Sequence, residues 1–154
     1  MTQRVLFVCL GNICRSPTAE GVMLHLLKER SITSVVVDSA GTSAYHVGES
    51  ADRRSQQEAH RRGIWLPSRA RQFVVEDFDD FDWILAMDTS NLSNILAMAR
   101  NGEDKSKVHL FRDFDPSEQK GLSVPDPYYE GNFGTVFDIC ERGCLGLLTQ
   151  LLNR

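Results

Sequence analysis

Five residues separate Cys9 from Arg15 in the stretch C-L-G-N-I-C-R-S-P, and Ser16 and Pro17 follow directly. A loop that curls over the start of a helix points successive backbone N–H groups inward, and such a nest binds a phosphate-sized anion. Its positive potential favours a thiolate at the base of the cradle, which makes Cys9 a candidate nucleophile. Arg15 closes the ring with a planar fork suited to two phosphate oxygens, and Ser16 can donate its hydroxyl to the sulfur. Leu10, Gly11, Asn12, Ile13 and Cys14 make the turn between them, with Gly11 and Asn12 supplying tolerance of positive φ. The expected phosphate site is therefore the loop from Leu10 to Ser16.

A cysteine that closes a buried strand is ordinarily a small core residue. For Cys9 alone that reading would win; Cys followed six residues later by Arg, Ser and Pro at a strand-to-helix junction is harder to dismiss. Other phosphate loops fit worse, since neither G-x-x-x-x-G-K-[ST] nor G-x-G-x-x-G occurs. The four residues between Cys9 and Cys14 also exclude a C-x-x-C redox motif.

The elements that must hold this loop follow from the hydrophobic pattern. Val5 to Val8 is an apolar strand, and a helix from about Pro17 to Arg30 follows, with Ser16 as its N-cap and Pro17 at its first position. Ala19, Val22, Met23, Leu26 and Leu27 fall on one face of it. Further strands are expected at Ser34 to Val37, within Asp82 to Met87, and at Val108 to Phe111. Helices are expected from Ala51 to Arg62, from Asp88 until Asn101 and Gly102 stop it, and from Phe133 onward. The third of these carries the stripe Val136, Phe137, Cys140, Cys144, Leu147, Leu148 and Leu151. A long loop, about Arg112 to Asn132, precedes it, and loops of that length are usually functional. Alternating strands and helices imply an α/β fold with a parallel sheet covered on both faces. Ligands then bind at the carboxyl ends of the strands. That rule gathers Cys9 to Ser16, Ser39 to Val47, Asp88 to Asn91 and the loop containing Asp126 on one rim.

At 154 residues, 42% hydrophobic and 25% charged, the chain has the size of one domain spanning residues 1–154. Its net charge of -4 argues against nucleic acid as a partner, so phosphate has to be attracted locally. There is no signal pattern and no apolar run approaching the ~20 residues of a membrane helix, so a cytoplasmic protein without membrane insertion is expected. The four cysteines are then free thiols. His25, His46, His60 and His109 are scattered without the close partners a metal needs, so neither metal nor cofactor is expected. A monomer is the expected state.

C-L-G-N-I-C-R-S-P resembles the signature of the low molecular weight protein tyrosine phosphatases. Further matches are D-S-A-G-T at Asp38 to Thr42, A-R-Q at Ala70 to Gln72, M-D-T-S-N at Met87 to Asn91 and D-P-Y-Y at Asp126 to Tyr129. The resemblance covers nearly the whole chain. It implies a three-layer sandwich around a four-stranded parallel sheet of order 2-1-3-4. It also implies hydrolysis of phosphotyrosine in protein substrates, with inorganic phosphate as product and inhibitor. Asp126, stiffened between Pro125 and Pro127, would otherwise read as a turn aspartate; the match lifts it to general acid and base. Tyr128 and Tyr129 are implied to border the pocket, with Tyr45 at its entrance and Ile13 beside them. Aromatic walls would hold an aryl phosphate and keep phosphorus deep, beyond short phosphoserine chains. Asn12 and Ser39 resemble residues that hold the loop's shape, whereas Asp88 divides evenly between capping and a further role. Many eukaryotic relatives have His where this chain has Ser68, so the network behind Asn12 is expected to differ.

Three alternatives remain. An arsenate reductase of this fold would need relay cysteines on a flexible segment, whereas Cys140 and Cys144 sit on a well-patterned helix. A protein arginine phosphatase would typically have Thr in place of Ile13 and lack the Tyr pair. A silent phosphotyrosine-binding module would not need Cys9, Arg15 and Asp126 together. Cys14 has two readings: packing under the loop, or a partner that condenses with oxidised Cys9 and protects it.

Overall fold

Val5, Leu6, Phe7 and Val8 form the centre of strand β1 (Gln3–Cys9) and are all fully buried. A strand apolar on both faces must be covered on both. The computed structural model, which describes residues 1–153, shows how. β1 lies inside an all-parallel sheet with β2 (Val35–Gly41), β3 (Trp83–Ala86) and β4 (Val108–Leu110), in the order β2-β1-β3-β4. This is the expected order.

Side chains alternate across a strand, so β1 feeds two cores. Val5, Phe7 and Cys9 pack with residues of helix α1 (Arg15–Glu29), such as Val22 and Met23, and with Val136, Phe137 and Cys140 near the chain's end. Leu6 and Val8 meet Phe73, Phe78 and Ile95 on the opposite side. The remaining helices in chain order are α2 (Arg53–Arg61), α3 (Asp77–Asp80), α4 (Thr89–Met98), α5 (Gly102–Ser106), α6 (Pro127–Glu130) and α7 (Phe133–Leu152). Each fully buried Val, Leu or Phe contributes roughly 1.5–3 kcal/mol, so the strand that carries the site is anchored in the core. Among the described residues no helix is long and apolar enough to cross a membrane.

Four local expectations are corrected. Helix α1 starts at Arg15 with Cys14 as its cap, so Ser16 is inside the helix and is not its N-cap, and Pro17 is the third helical residue, two positions later than expected. The Ser16 hydroxyl is instead engaged by Cys9 and Asn12. Asn101 does not merely stop a helix: its side chain accepts from the Asp104 N–H and caps the new helix α5. Phe111 leaves the sheet and begins a 3₁₀ turn, Phe111–Phe114, because its ring packs edge-on against Phe7 at 5.4 Å beneath the sheet. The long loop is not wholly irregular, since Asp126 caps helix α6 within it. Helix α3 had no periodic signal, being four residues long.

The 3₁₀ turn is pressed against α7. A Cβ on Gly146 would lie 1.9 Å from the Phe114 carbonyl oxygen, a contact with backbone that cannot rotate away. Gly102, by contrast, faces open space. Gly146→Ala is therefore expected to cost about 2–3 kcal/mol and lower Tm by roughly 5 °C or more, whereas Gly102→Ala leaves Tm within about 1–2 °C. Equal melting curves for the two variants would show that the turn yields freely.

Candidate active site

The carboxyl end of β1 delivers Cys9 into the turn that opens α1, and the turn closes around the sulfur. The Asn12 N–H donates to Cys9 Sγ at 3.2 Å, and Ser16 Oγ lies 3.0 Å from the same sulfur. Asn12 is the residue that bends the loop, at φ 57° in the left-handed region, where Asn is among the few residues with a side chain that pay little strain. Gly11 is not in that region; its missing Cβ matters because one would sit 3.0 Å from His46 Cδ2. A Cβ on Gly41, at the end of β2, would lie 2.8 Å from the Leu10 carbonyl oxygen, so the neighbouring strand can approach the loop only as glycine.

Asn12 is locked from three directions. Its Nδ2 donates to Ser16 Oγ at 2.8 Å and to Ser39 Oγ at 3.0 Å, while its Oδ1 accepts from the Arg71 N–H at 3.0 Å. The Ser39 hydroxyl in turn donates to Glu20 Oε1 at 2.5 Å. Glu20 is 5% exposed, and burial pushes its carboxyl up, with the hydroxyls of Ser39 and Ser68 opposing. Ser68 thus joins the network through Glu20.

Arg15 is 3% exposed, and a buried cation needs partners. Its Nη1 donates to Asp88 Oδ2 at 2.7 Å and to the Val124 carbonyl at 3.1 Å, while Nη2 lies 3.6 Å from Asp126 Oδ2. Burial pulls the guanidinium down, but Cys9 and then Asp88 outweigh it, so Arg15 is raised and stays cationic. With Nη1 held by protein, the Nε–Nη2 edge is the one available to an anion. Asp88 serves twice, since its Oδ1 also accepts from the Asn91 N–H at 2.7 Å and caps α4. Asp126 is held by the Tyr128 N–H at 3.0 Å, with its side chain 40% exposed.

These groups open into a cavity of about 510 Å³ that includes Cys9, Ile13, Arg15, Asp126, Tyr45 and Tyr128 in its lining. Tyr129 is also on the rim, edge-on to Tyr128 at 5.0 Å. Residues 4–154 match the family described as low molecular weight phosphotyrosine protein phosphatase. The chain belongs to this family. The human low molecular weight phosphotyrosine protein phosphatase is 44% identical over 153 residues, covering 97% of this chain and 96% of that one. A crystal structure of the protein tyrosine phosphatase from Entamoeba histolytica with Hepes in the active site superposes with a TM-score of 0.92 at 40% identity, covering 99% of this chain and 98% of that one. The Drosophila arginine phosphatase also shares the fold, with a TM-score of 0.88 at 33% identity and 96% of each chain covered.

Every residue that the resemblance to the low molecular weight phosphatases nominated lies in this cavity or directly behind it. Tyr45 and Tyr129 are 86% and 89% exposed, so they form a rim and not a buried wall. Four contributors carried no sequence signal. Val124 offers only its carbonyl to Arg15, and Glu20 reads as an ordinary helix acid. His46, paired with Glu49 at 2.9 Å, packs on Gly11 and lines the cavity. Arg54, 2.8 Å from Asp52 through its backbone N–H, stacks on Tyr128 and Phe133 at 5.3 and 4.8 Å and so braces the aromatic wall.

Proposed function

We propose that this chain is a protein tyrosine phosphatase that hydrolyses phosphotyrosine and small aryl phosphates through a phosphocysteine intermediate. The observation that carries the reading is the placement of the Cys9 sulfur, the Arg15 guanidinium and the Asp126 carboxyl on a single cavity, with the loop wound around the sulfur. Cys9 Sγ attacks phosphorus, and the bond to the phenolic oxygen breaks. Arg15 and the loop amides of Leu10 to Ser16 hold the equatorial oxygens as charge shifts onto them. Asp126 gives its proton to the departing phenol, then takes one from the water that cleaves the S–P bond and releases inorganic phosphate. Asn12, Ser16, Ser39 and Asp88 position the loop and Arg15.

Ile13, Tyr45, Tyr128 and Tyr129 give the cavity depth and aromatic edges suited to a phenyl ring. The likeness to an arginine phosphatase favours a second reading, hydrolysis of phosphoarginine. Ile13 counts against it, having no hydroxyl for a guanidinium. Cys140 and Cys144 are fully buried, and burial pushes both thiols up, which counts against an arsenate relay.

We also propose that Cys14 protects Cys9: peroxide converts the Cys9 thiolate to sulfenic acid, and Cys14 condenses with it to a disulfide, releasing water. Both cysteines line the same cavity. Burial, then Asp52, pushes the Cys14 thiol up to about 12, so at neutral pH condensation is slow and accelerates as pH rises.

Cys9→Ser is expected to abolish turnover yet still bind phosphate or vanadate, and mass spectrometry of quenched enzyme should find phosphate on Cys9 alone. Asp126→Asn should slow phosphotyrosine about 10²–10⁴-fold but p-nitrophenyl phosphate far less, because only the poor leaving group needs the proton. An equal loss on both would remove Asp126 as the acid.

Substrate choice is read from kcat/KM, expected to be at least about tenfold higher for phosphotyrosine peptides than for phosphoarginine, a difference of about 1.4 kcal/mol in transition-state binding. Comparable values would favour the arginine reading. For the thiol pair, peroxide followed by thiol reductant should restore activity to the native enzyme and much less to Cys14→Ser; equal recovery would leave Cys14 a packing residue.

A further inference from the structure

Helix α2 begins at the cavity and leads away from it. The Asp52 N–H, just before the helix, donates to the Ile13 carbonyl at 2.7 Å, and Arg54 lies over the Tyr128 ring. Arg53, Gln57, His60 and Arg61 recur at helical spacing along the outer face, and all are exposed. They line, with Gln56, a shallow depression of about 580 Å³. Gln56 and His60 also border a second depression of about 420 Å³ that ends at Trp65. The two depressions flank Gln56 and His60, and together they form a trough-like strip.

Two features of this trough call for a partner. Trp65 is 79% exposed, a large aromatic surface held out in solvent on a chain whose other tryptophan, Trp83, is 6% exposed. Tryptophan and arginine are the side chains that most often anchor interfaces. The outer face is also left basic. Arg54 is met by Asp52, and Arg62 by Glu58 and by Asp138 and Glu141 of α7, so the cations presented outward are Arg53 and Arg61. Both Glu58 oxygens are already engaged, by Arg61 at 2.7 Å and Arg62 at 2.8 Å. Among the described residues Arg53 has no ion pair, and the Arg61 side chain remains 75% exposed beside its partner.

We propose that this strip docks an acidic segment of the phosphoprotein substrate, on the same polypeptide as the phosphotyrosine. The proposal rests on the phosphatase reading and adds a substrate preference to it. Arg53 and Arg61 are about 12 Å apart along the helix, a span covered by about four extended residues. Glu49, its side chain 58% exposed, lines the cavity and repels acids immediately beside the phosphotyrosine. The favoured acids are therefore displaced, roughly three to eight residues along the chain.

The test compares three phosphotyrosine peptides, with neutral flanks, with Asp and Glu at positions 3 to 8 on the carboxyl side, and with the same run on the amino side. One acidic peptide is expected to show a KM about three- to tenfold below the neutral one at unchanged kcat. Arg53→Gln/Arg61→Gln should erase that advantage, as should ~0.5 M salt, while p-nitrophenyl phosphate turnover is untouched. Glu58 keeps Arg62 in the double variant, so folding is not the readout. Titration of the native protein with the unphosphorylated acidic peptide should shift tryptophan emission through Trp65, and Trp65→Ala should remove the shift. This binding readout stands even if no aryl phosphate is hydrolysed, which would defeat the proposed activity alone. Equal KM values for the three peptides, or an acidic preference that survives the double variant, would overturn the docking strip, as would unchanged emission.

Discussion

The left-handed turn at Asn12 is the constraint on which the site depends. With φ at 57°, the Asn12 N–H faces inward to Cys9 Sγ, and its side chain bridges the loop to β2 through Ser39 and to the chain at Arg71. A single residue thus sets the direction of a donor and pins the segment that carries it. The cost of a left-handed non-glycine residue, on the order of 1 kcal/mol, is offset by side-chain hydrogen bonds that glycine could not make. Behind it Ser39 and Glu20 extend the network into the packed face of α1, so the loop is braced by the core and not by solvent.

Charge is organised around the same point. The protein is acidic overall, yet the cavity holds Arg15, and the Asn12 N–H turns inward to Cys9, so attraction of phosphate is a short-range matter. Arg15 is nearly inaccessible, and burying a lone guanidinium would be prohibitive. Asp88 compensates it at 2.7 Å and the Val124 carbonyl adds a second acceptor, leaving the other edge of the guanidinium for an anion. The same Asp88 caps α4, which ties the orientation of the guanidinium to the packing of the helix across the sheet.

Aromatic and basic groups then extend outward in layers. Arg54 braces Tyr128 and Phe133, Tyr129 meets Tyr128 edge-on, and the outer face of α2 carries the cationic strip beyond them. The sulfur at depth, the aromatic rim and the flanking α2 surface are thus each built from a different element.

The sequence by itself determined the α/β class, the strand-loop-helix that carries Cys9 to Arg15, and the buried faces of α1 and α7. Those features are local, written in spacing of 2 and 3.6 residues and in a short motif. Tertiary structure decided what is long-range. The start of α1 moved to Arg15 because Ser16 is claimed by Cys9 and Asn12, where a local rule sees only a good cap. Phe111 left the strand for a contact with Phe7, which lies far away in the chain. Glu20, Arg54 and His46 were ordinary polar residues until folding set them against Ser39, Tyr128 and Gly11. The Val124 carbonyl could not be found from side-chain types at all, since every residue has one and only the chain path aims it at Arg15.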